Sequence, residues 1–198
     1  MSSYTYRHYP YVRPRELEAP GRRRPVVIVG AGIAGPTLAL SLATRDVPVL
    51  LLDEDDTVSL GSRSICQAKH SLEVWDRFGI ARGMVDKGIT WEQGEVYLRD
   101  QAIFRFNLQP EPGHKFPAFV NLQQYYVEEF LYECCAAEPL VEMRHRHKVV
   151  GVATMVPCTK DPCPITTTPP ADAALEVPAG TAKRAGIAAG ALVELSAF

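Results

Sequence analysis

The sequence predicts an α/β fold that opens with a βαβ unit, and three observations predict it. Two short runs, residues 25–29 and 47–52, are β-branched and aliphatic, apolar on both faces as strands of a covered parallel sheet must be. Between them, residues 33–44 carry Leu38, Leu42 and other apolar side chains at helical spacing. A glycine-rich turn joins the first strand to this helix, and Asp53 stands at the carboxyl end of the second strand. Further along, residues 71–80 predict a short amphipathic helix that ends at Gly79. Residues 95–99 and 103–107 alternate and predict an added β-hairpin turned near Asp100-Gln101. Residues 119–128 start another helix, and a strand pair is expected around residues 143–152.

The turn reads Gly30-Ala31-Gly32-Ile33-Ala34-Gly35, a GxGxxG with a strand before it and a helix after it. Each glycine has its own reason. Gly30 permits a tight turn, Gly32 lets a pyrophosphate approach the backbone, and Gly35 allows helix and strand to pack closely. Exposed N–H groups and the positive helix end would then hold the diphosphate. Asp53 follows the last glycine by 18 residues, where a carboxylate accepts both ribose hydroxyls. Pro36 falls in the first helical turn, where a missing N–H costs little. The fold is therefore read as Rossmann-like and dinucleotide-binding, against the plainer reading of a tight turn that binds nothing. FAD and NAD share the same ADP half, so the glycines alone do not choose between them.

Composition bounds the rest. Of 198 residues, 46% are hydrophobic and 22% charged, and the formal charge of −2 argues against a nucleic-acid binder held by bulk charge. No apolar run approaches the ~18 residues that span a bilayer. Five scattered cysteines make no disulfide framework, so a reducing, cytoplasmic setting is expected. Residues 1–24 hold Tyr4, Tyr6, Tyr9 and Tyr11 with Pro10, Pro14 and Pro20, and read as a flexible or surface-draped leader. All aromatic residues but Phe198 lie at or before Tyr132. Residues 153–198 are Pro-, Thr-, Ala- and Gly-rich, with little apolar area to offset ordering entropy, and predict a low-complexity, disordered C-terminal tail.

Over residues 25–152 the chain resembles the class A FAD-dependent aromatic monooxygenases, near the 3-(3-hydroxyphenyl)propionate hydroxylase and phenol hydroxylase branch. The glycine loop, Asp53, the stretch Gly61-Ser62-Arg63-Ser64-Ile65 and the stretch Asn121-Leu122-Gln123-Gln124-Tyr125-Tyr126-Val127-Glu128 carry the resemblance. It implies FAD as cofactor, NADPH or NADH as reductant, and oxygen transfer from O₂ to a phenolic small molecule. It also implies that Asp53 binds the adenosine ribose, that Arg63 lies beside the flavin diphosphate, and that Gln123, or else Gln124, contacts the cofactor. A guanidinium pairs with a diphosphate through parallel N–H donors, and a glutamine amide both donates and accepts.

Other constellations are weaker. His145 and His147 alternate but offer too few ligands for a metal, and Cys158 and Cys163 have no histidine near them, so no metal is expected. Cys134 and Cys135 read as small apolar side chains on a helix. No catalytic side chain is assigned. Members of the resembled family are longer and carry Asp-Gly and Gly-Asp segments near the cofactor; neither dipeptide occurs here. The expected domain over residues 25–152 is therefore a partial, incomplete FAD-binding domain. The chain is read as a truncated or frame-shifted hydroxylase inactive alone, with a non-catalytic dinucleotide-binding remnant as the alternative and an NAD-dependent reductase third. Nothing predicts an oligomeric state.

Overall fold

In chain order the elements are β1 (Val26–Val29), α1 (Ala34–Ala43), β2 (Val49–Leu52), β3 (Cys66–Ala68), α2 (Lys69–Asp76), α3 (Ala81–Lys87), β4 (Ile89–Trp91), β5 (Gln93–Leu98), β6 (Gln101–Asn107), β7 (Phe119–Asn121), α4 (Gln124–Ala137) and β8 (Val141–Arg144). The structure is a computed structural model that describes residues 4–15, 24–109 and 111–152. The tail over 153–198, with Cys158 and Cys163, lies outside the described residues.

A parallel sheet in the order β1-β2-β8 carries the glycine turn. Val49, Leu50, Leu51 and Leu52 are all buried in its middle strand, which is why that run has no polar alternation. Helix α1 turns Pro36, Ala39, Leu40 and Ala43 inward, and α4 turns Val127, Glu128, Leu131, Tyr132 and Cys135 inward. The buried stripe of α1 thus consists of small residues around Leu40, and Leu38 is left 50% exposed. A second sheet, antiparallel, has the order β3-β7-β4, and β5 and β6 form a separate hairpin with largely exposed side chains.

Two elements differ from expectation. The helix expected to begin at Phe119 starts only at Gln124, because Phe119–Asn121 is a strand. Its aromatic and β-branched residues are paired on both sides, by β3 and β4, with Val120 fully buried between them. The strand pair expected over 143–152 is a single strand that ends at Arg144. After it Arg146 takes a left-handed φ of 60°, and the chain bends onto the loop that follows β2. There Arg146 N donates to Asp55 O (3.2 Å) and His147 N donates to Asp53 O (2.7 Å).

Residues 4–15 cross the surface on a series of aromatic contacts. Tyr4 lies 4.2 Å from the Tyr125 ring and edge-on to Tyr126, and the Tyr6 hydroxyl accepts from Gly61 N at 2.9 Å. Tyr9 N donates to Asp56 O at 2.7 Å while its ring stacks on His145 at 4.3 Å, and Tyr11 stacks on His147 at 5.0 Å. This ribbon joins the loop after β2, the first turn of α4 and the segment after β8.

Candidate functional site

The carboxyl ends of β1, β2 and β8 converge where an open parallel sheet places its ligands. From β1 the chain enters the turn with Gly30 at φ +99°, a conformation that L side chains rarely adopt, and Gly30 N donates to Leu52 O at 2.8 Å. Gly35 needs its missing side chain for a different reason. A Cβ there would stand 1.9 Å from Gly30 O, against backbone that has nowhere to go. Gly32 has neither reason. Its φ is not left-handed, it is exposed, and the nearest atom to an added Cβ is Glu128 Oε1 at 3.9 Å. Nothing among the described residues requires glycine at that position.

Asp53 links β2 to this turn. Its Oδ2 accepts a hydrogen bond from Ala31 N, and its Oδ1 accepts one from Asp55 N at 2.8 Å. A carboxylate offers about four lone-pair sites, so both oxygens keep capacity for a ribose diol. Asp53 N donates to Arg144 O at 3.0 Å, which ties the acid to the end of β8. Helix α1 begins with no side-chain cap and no acidic residue of its own in the first turn, so no side chain of the helix covers its positive end.

Arg63 sits exposed on the loop between β2 and β3, next to Ser62. Gln123 is the residue preceding α4, half-buried, and makes no side-chain capping bond. Gln124 is more closely tied to the turn. Its backbone N donates to Ser62 Oγ at 3.0 Å, and its Nε2 donates to Ser59 Oγ at 3.0 Å and Glu128 Oε1 at 2.8 Å. Sequence reasoning passed over Glu128 and Tyr132. Both are buried, and the Tyr132 hydroxyl donates to Ala31 O at 2.9 Å, directly under the glycine turn. The readable signal was the four-residue spacing of polar heads, Gln124, Glu128 and Tyr132, on an otherwise apolar helix face.

Burial and the nearby Glu128 carboxylate hold the Tyr132 phenol above its ordinary range, so it stays a proton donor. Burial holds the His145 imidazole below its usual value, against the opposing pull of the Asp53 and Asp56 carboxylates. His145 and His147 serve as stacking partners for Tyr9 and Tyr11, and among the described residues no cluster could hold a metal ion. Cys135 is buried, with its thiol pushed up to about 12 by desolvation. No helix among the described residues is long and apolar enough to cross a membrane.

Comparison with known proteins bears on family and fold. A family model described as an FAD binding domain matches residues 23–155, and one described as an uncharacterized ACR matches residues 141–195. The chain is 31% identical over 121 residues to a 6-methylpretetramide 4-monooxygenase of Streptomyces rimosus, covering 61% of this chain and 21% of the relative. It is 28% identical over 116 residues to a flavin-dependent monooxygenase of Mycobacteroides abscessus, covering 54% and 24%. The chain thus spans about a fifth to a quarter of the length of these curated relatives. Among solved structures, p-nitrophenol 4-monooxygenase PnpA from Pseudomonas putida superposes with a TM-score of 0.58 at 24% identity, over 67% of this chain and 35% of that one. The flavin-dependent monooxygenase PieE, solved with FAD and substrate, gives 0.57 at 24% identity, over 69% and 26%. At that identity the likeness is one of fold.

Proposed function

The chain belongs to the FAD-binding-domain family of FAD-dependent aromatic monooxygenases, matched in its N-terminal part, and on that premise we propose that residues 25–152 form the cradle for the ADP half of FAD in an aromatic hydroxylase. The observation that carries this is Gly32, a glycine that neither backbone conformation nor internal packing explains. A diphosphate passing over it explains it, since any Cβ would occupy the phosphate's path.

The residues fit that group. The N–H groups of Gly32, Ile33 and Ala34, which the bonds of the turn leave over, donate to the diphosphate, and the dipole of α1 offsets its charge. Asp53, already aligned by Ala31 N and Asp55 N, accepts the adenosine ribose hydroxyls. Arg63 pairs with the diphosphate from the loop between β2 and β3. Of the two glutamines, Gln123 is the contact that the family resemblance favoured, whereas the bonds of Gln124 to Ser59, Ser62 and Glu128 support Gln124 as the better-held contact.

FAD held there would supply the redox chemistry of a hydroxylation that uses NADPH or NADH as reductant and O₂ as oxygen source. The described residues bind and orient; none of these is assigned to a reacting atom. The substrate class we propose is a phenolic small molecule, of the kind handled by the 3-(3-hydroxyphenyl)propionate and phenol hydroxylase branch, in a cytoplasmic setting. A second reading, a dinucleotide-binding module with no turnover of its own, is favoured by the described residues themselves, which supply a turn and an acid for a nucleotide and no group at a reacting atom. Phenol-dependent NADPH oxidation with product formation, run on the FAD-saturated 198-residue chain against free FAD, separates the two. Coupled hydroxylation above the free-flavin control supports a self-sufficient hydroxylase. Retained FAD without turnover supports a cofactor cradle that needs further polypeptide.

A further inference from the structure

Helix α4 presents Gln124, Glu128 and Tyr132 on successive turns of one face, all three directed at the loops around the glycine turn. The middle residue is a carboxylate with no exposed surface. Glu128 Oε2 accepts from Ser59 N at 2.7 Å, while Oε1 accepts from Ser59 Oγ at 2.8 Å and from Gln124 Nε2 at 2.8 Å. Gln124 Nε2 also donates to Ser59 Oγ, and Gln124 N donates to Ser62 Oγ, so the network reaches the residue before Arg63. The same Oε1 is the nearest atom, at 3.9 Å, to the vacant Cβ position of Gly32.

A buried carboxylate costs several kcal/mol unless its oxygens are satisfied, and a well-packed apolar side chain of similar volume is often at least as stable. Stability alone therefore gives weak reason for an acid here. Its three bonds do something an apolar residue could not. They fix the loop at Ser59 to Ser62 against the first turn of α4, directly beside the glycine whose open face is the phosphate path. Asp53 and Ala31, at the adenosine end, have no bond to Glu128.

We propose that Glu128 is the positioning residue for the diphosphate and flavin side of the FAD site, holding Ser59, Ser62 and Gln124 in register with Gly32 while leaving the adenosine end to Asp53. The inference rests on the FAD reading above and adds to it a division of the site into two halves with separate supports. Its signature is a split between ligands. Adenosine monophosphate uses the Asp53 end, whereas FAD needs both halves.

The test measures FAD and AMP affinity for the wild-type chain, Glu128→Gln and Ser59→Ala, with a thermal midpoint for each. In Glu128→Gln the amide keeps one acceptor oxygen, and in either orientation its NH₂ group faces a donor, Ser59 N or Gln124 Nε2. FAD is expected to weaken at least about tenfold, the scale of one hydrogen bond to a charged group, with AMP changed by less than about twofold. Ser59→Ala, which removes a half-buried hydroxyl and leaves the backbone bond, is expected to weaken FAD in the same direction by a smaller factor. This second variant decides the matter if Glu128→Gln fails to fold. FAD and AMP weakened equally, alongside a lowered midpoint, would reduce Glu128 to a structural role and overturn the inference. So would FAD bound normally by both variants. A folded wild-type chain that binds neither ligand overturns the FAD reading itself.

Discussion

Replacing Gly32 by alanine separates a ligand's need for glycine from the fold's need. The new Cβ meets nothing closer than Glu128 Oε1 at 3.9 Å, an ordinary contact, and the backbone there is not left-handed. Stability should hold, or rise by about 0.4–1 kcal/mol because the unfolded chain loses freedom. FAD binding should fall. If the methyl group displaces the diphosphate enough to break one charge-assisted hydrogen bond, the loss is about 1.5–3 kcal/mol, roughly tenfold to 150-fold in affinity. Gly35→Ala is the contrasting control, because its Cβ would sit 1.9 Å from Gly30 O. That overlap should cost more than the roughly 1–3 kcal/mol of ordinary overpacking. The assay is FAD titration by flavin fluorescence together with urea unfolding of all three chains. Unchanged FAD affinity in a folded Gly32→Ala chain refutes the assignment of the phosphate path. Equal loss of stability in both variants refutes the separation of their roles.

Further outcomes follow from the neighbouring residues. Asp53→Ala should weaken FAD and ADP alike by about 1–3 kcal/mol, since both carry the same ribose; a loss confined to FAD in parallel titrations would move Asp53 away from the adenosine end. Tyr9→Ala removes the stack on His145 and the edge contact with Tyr132, and should lower the thermal midpoint by the equivalent of about 1–3 kcal/mol, whereas an unchanged midpoint would make the leader an ornament of the surface. Burial depresses the His145 imidazole in the folded chain, so the unfolded chain takes up a proton that the folded one resists once pH falls through the ordinary value of 6.5. Stability should therefore decline between about pH 7 and pH 5, and His145→Phe, which keeps a ring against Tyr9, should flatten that decline in unfolding curves.

The βαβ unit was legible in the sequence because its signals are local. Two β-branched runs, a helical apolar period and three glycines each carry their meaning within a few residues. The position of Asp53 beside the glycine turn was legible for the same reason, by its distance from the last glycine. What escaped was set by partners distant in the chain. Residues 119–121 look like the start of a helix until β3 and β4 are seen to pair on both sides of them. Residues 145–147 look like strand until their N–H groups are found to donate to the loop after β2. Glu128 reads as one more acid on a helix, and only the fold shows its carboxylate enclosed by Ser59 and Gln124. The leader's four tyrosines were conspicuous by composition, but their stacking partners lie more than a hundred residues away.

The central claim, that this chain cradles the ADP half of FAD, is tested most directly by equilibrium dialysis of the purified wild-type chain against FAD, with ADP and then FMN as competitors. The account predicts about one FAD per chain, displaced by ADP, which shares the half held by the glycine turn and Asp53, and not by FMN, which lacks it. A chain folded by circular dichroism that retains no FAD, or retains FAD that FMN displaces and ADP does not, would contradict it.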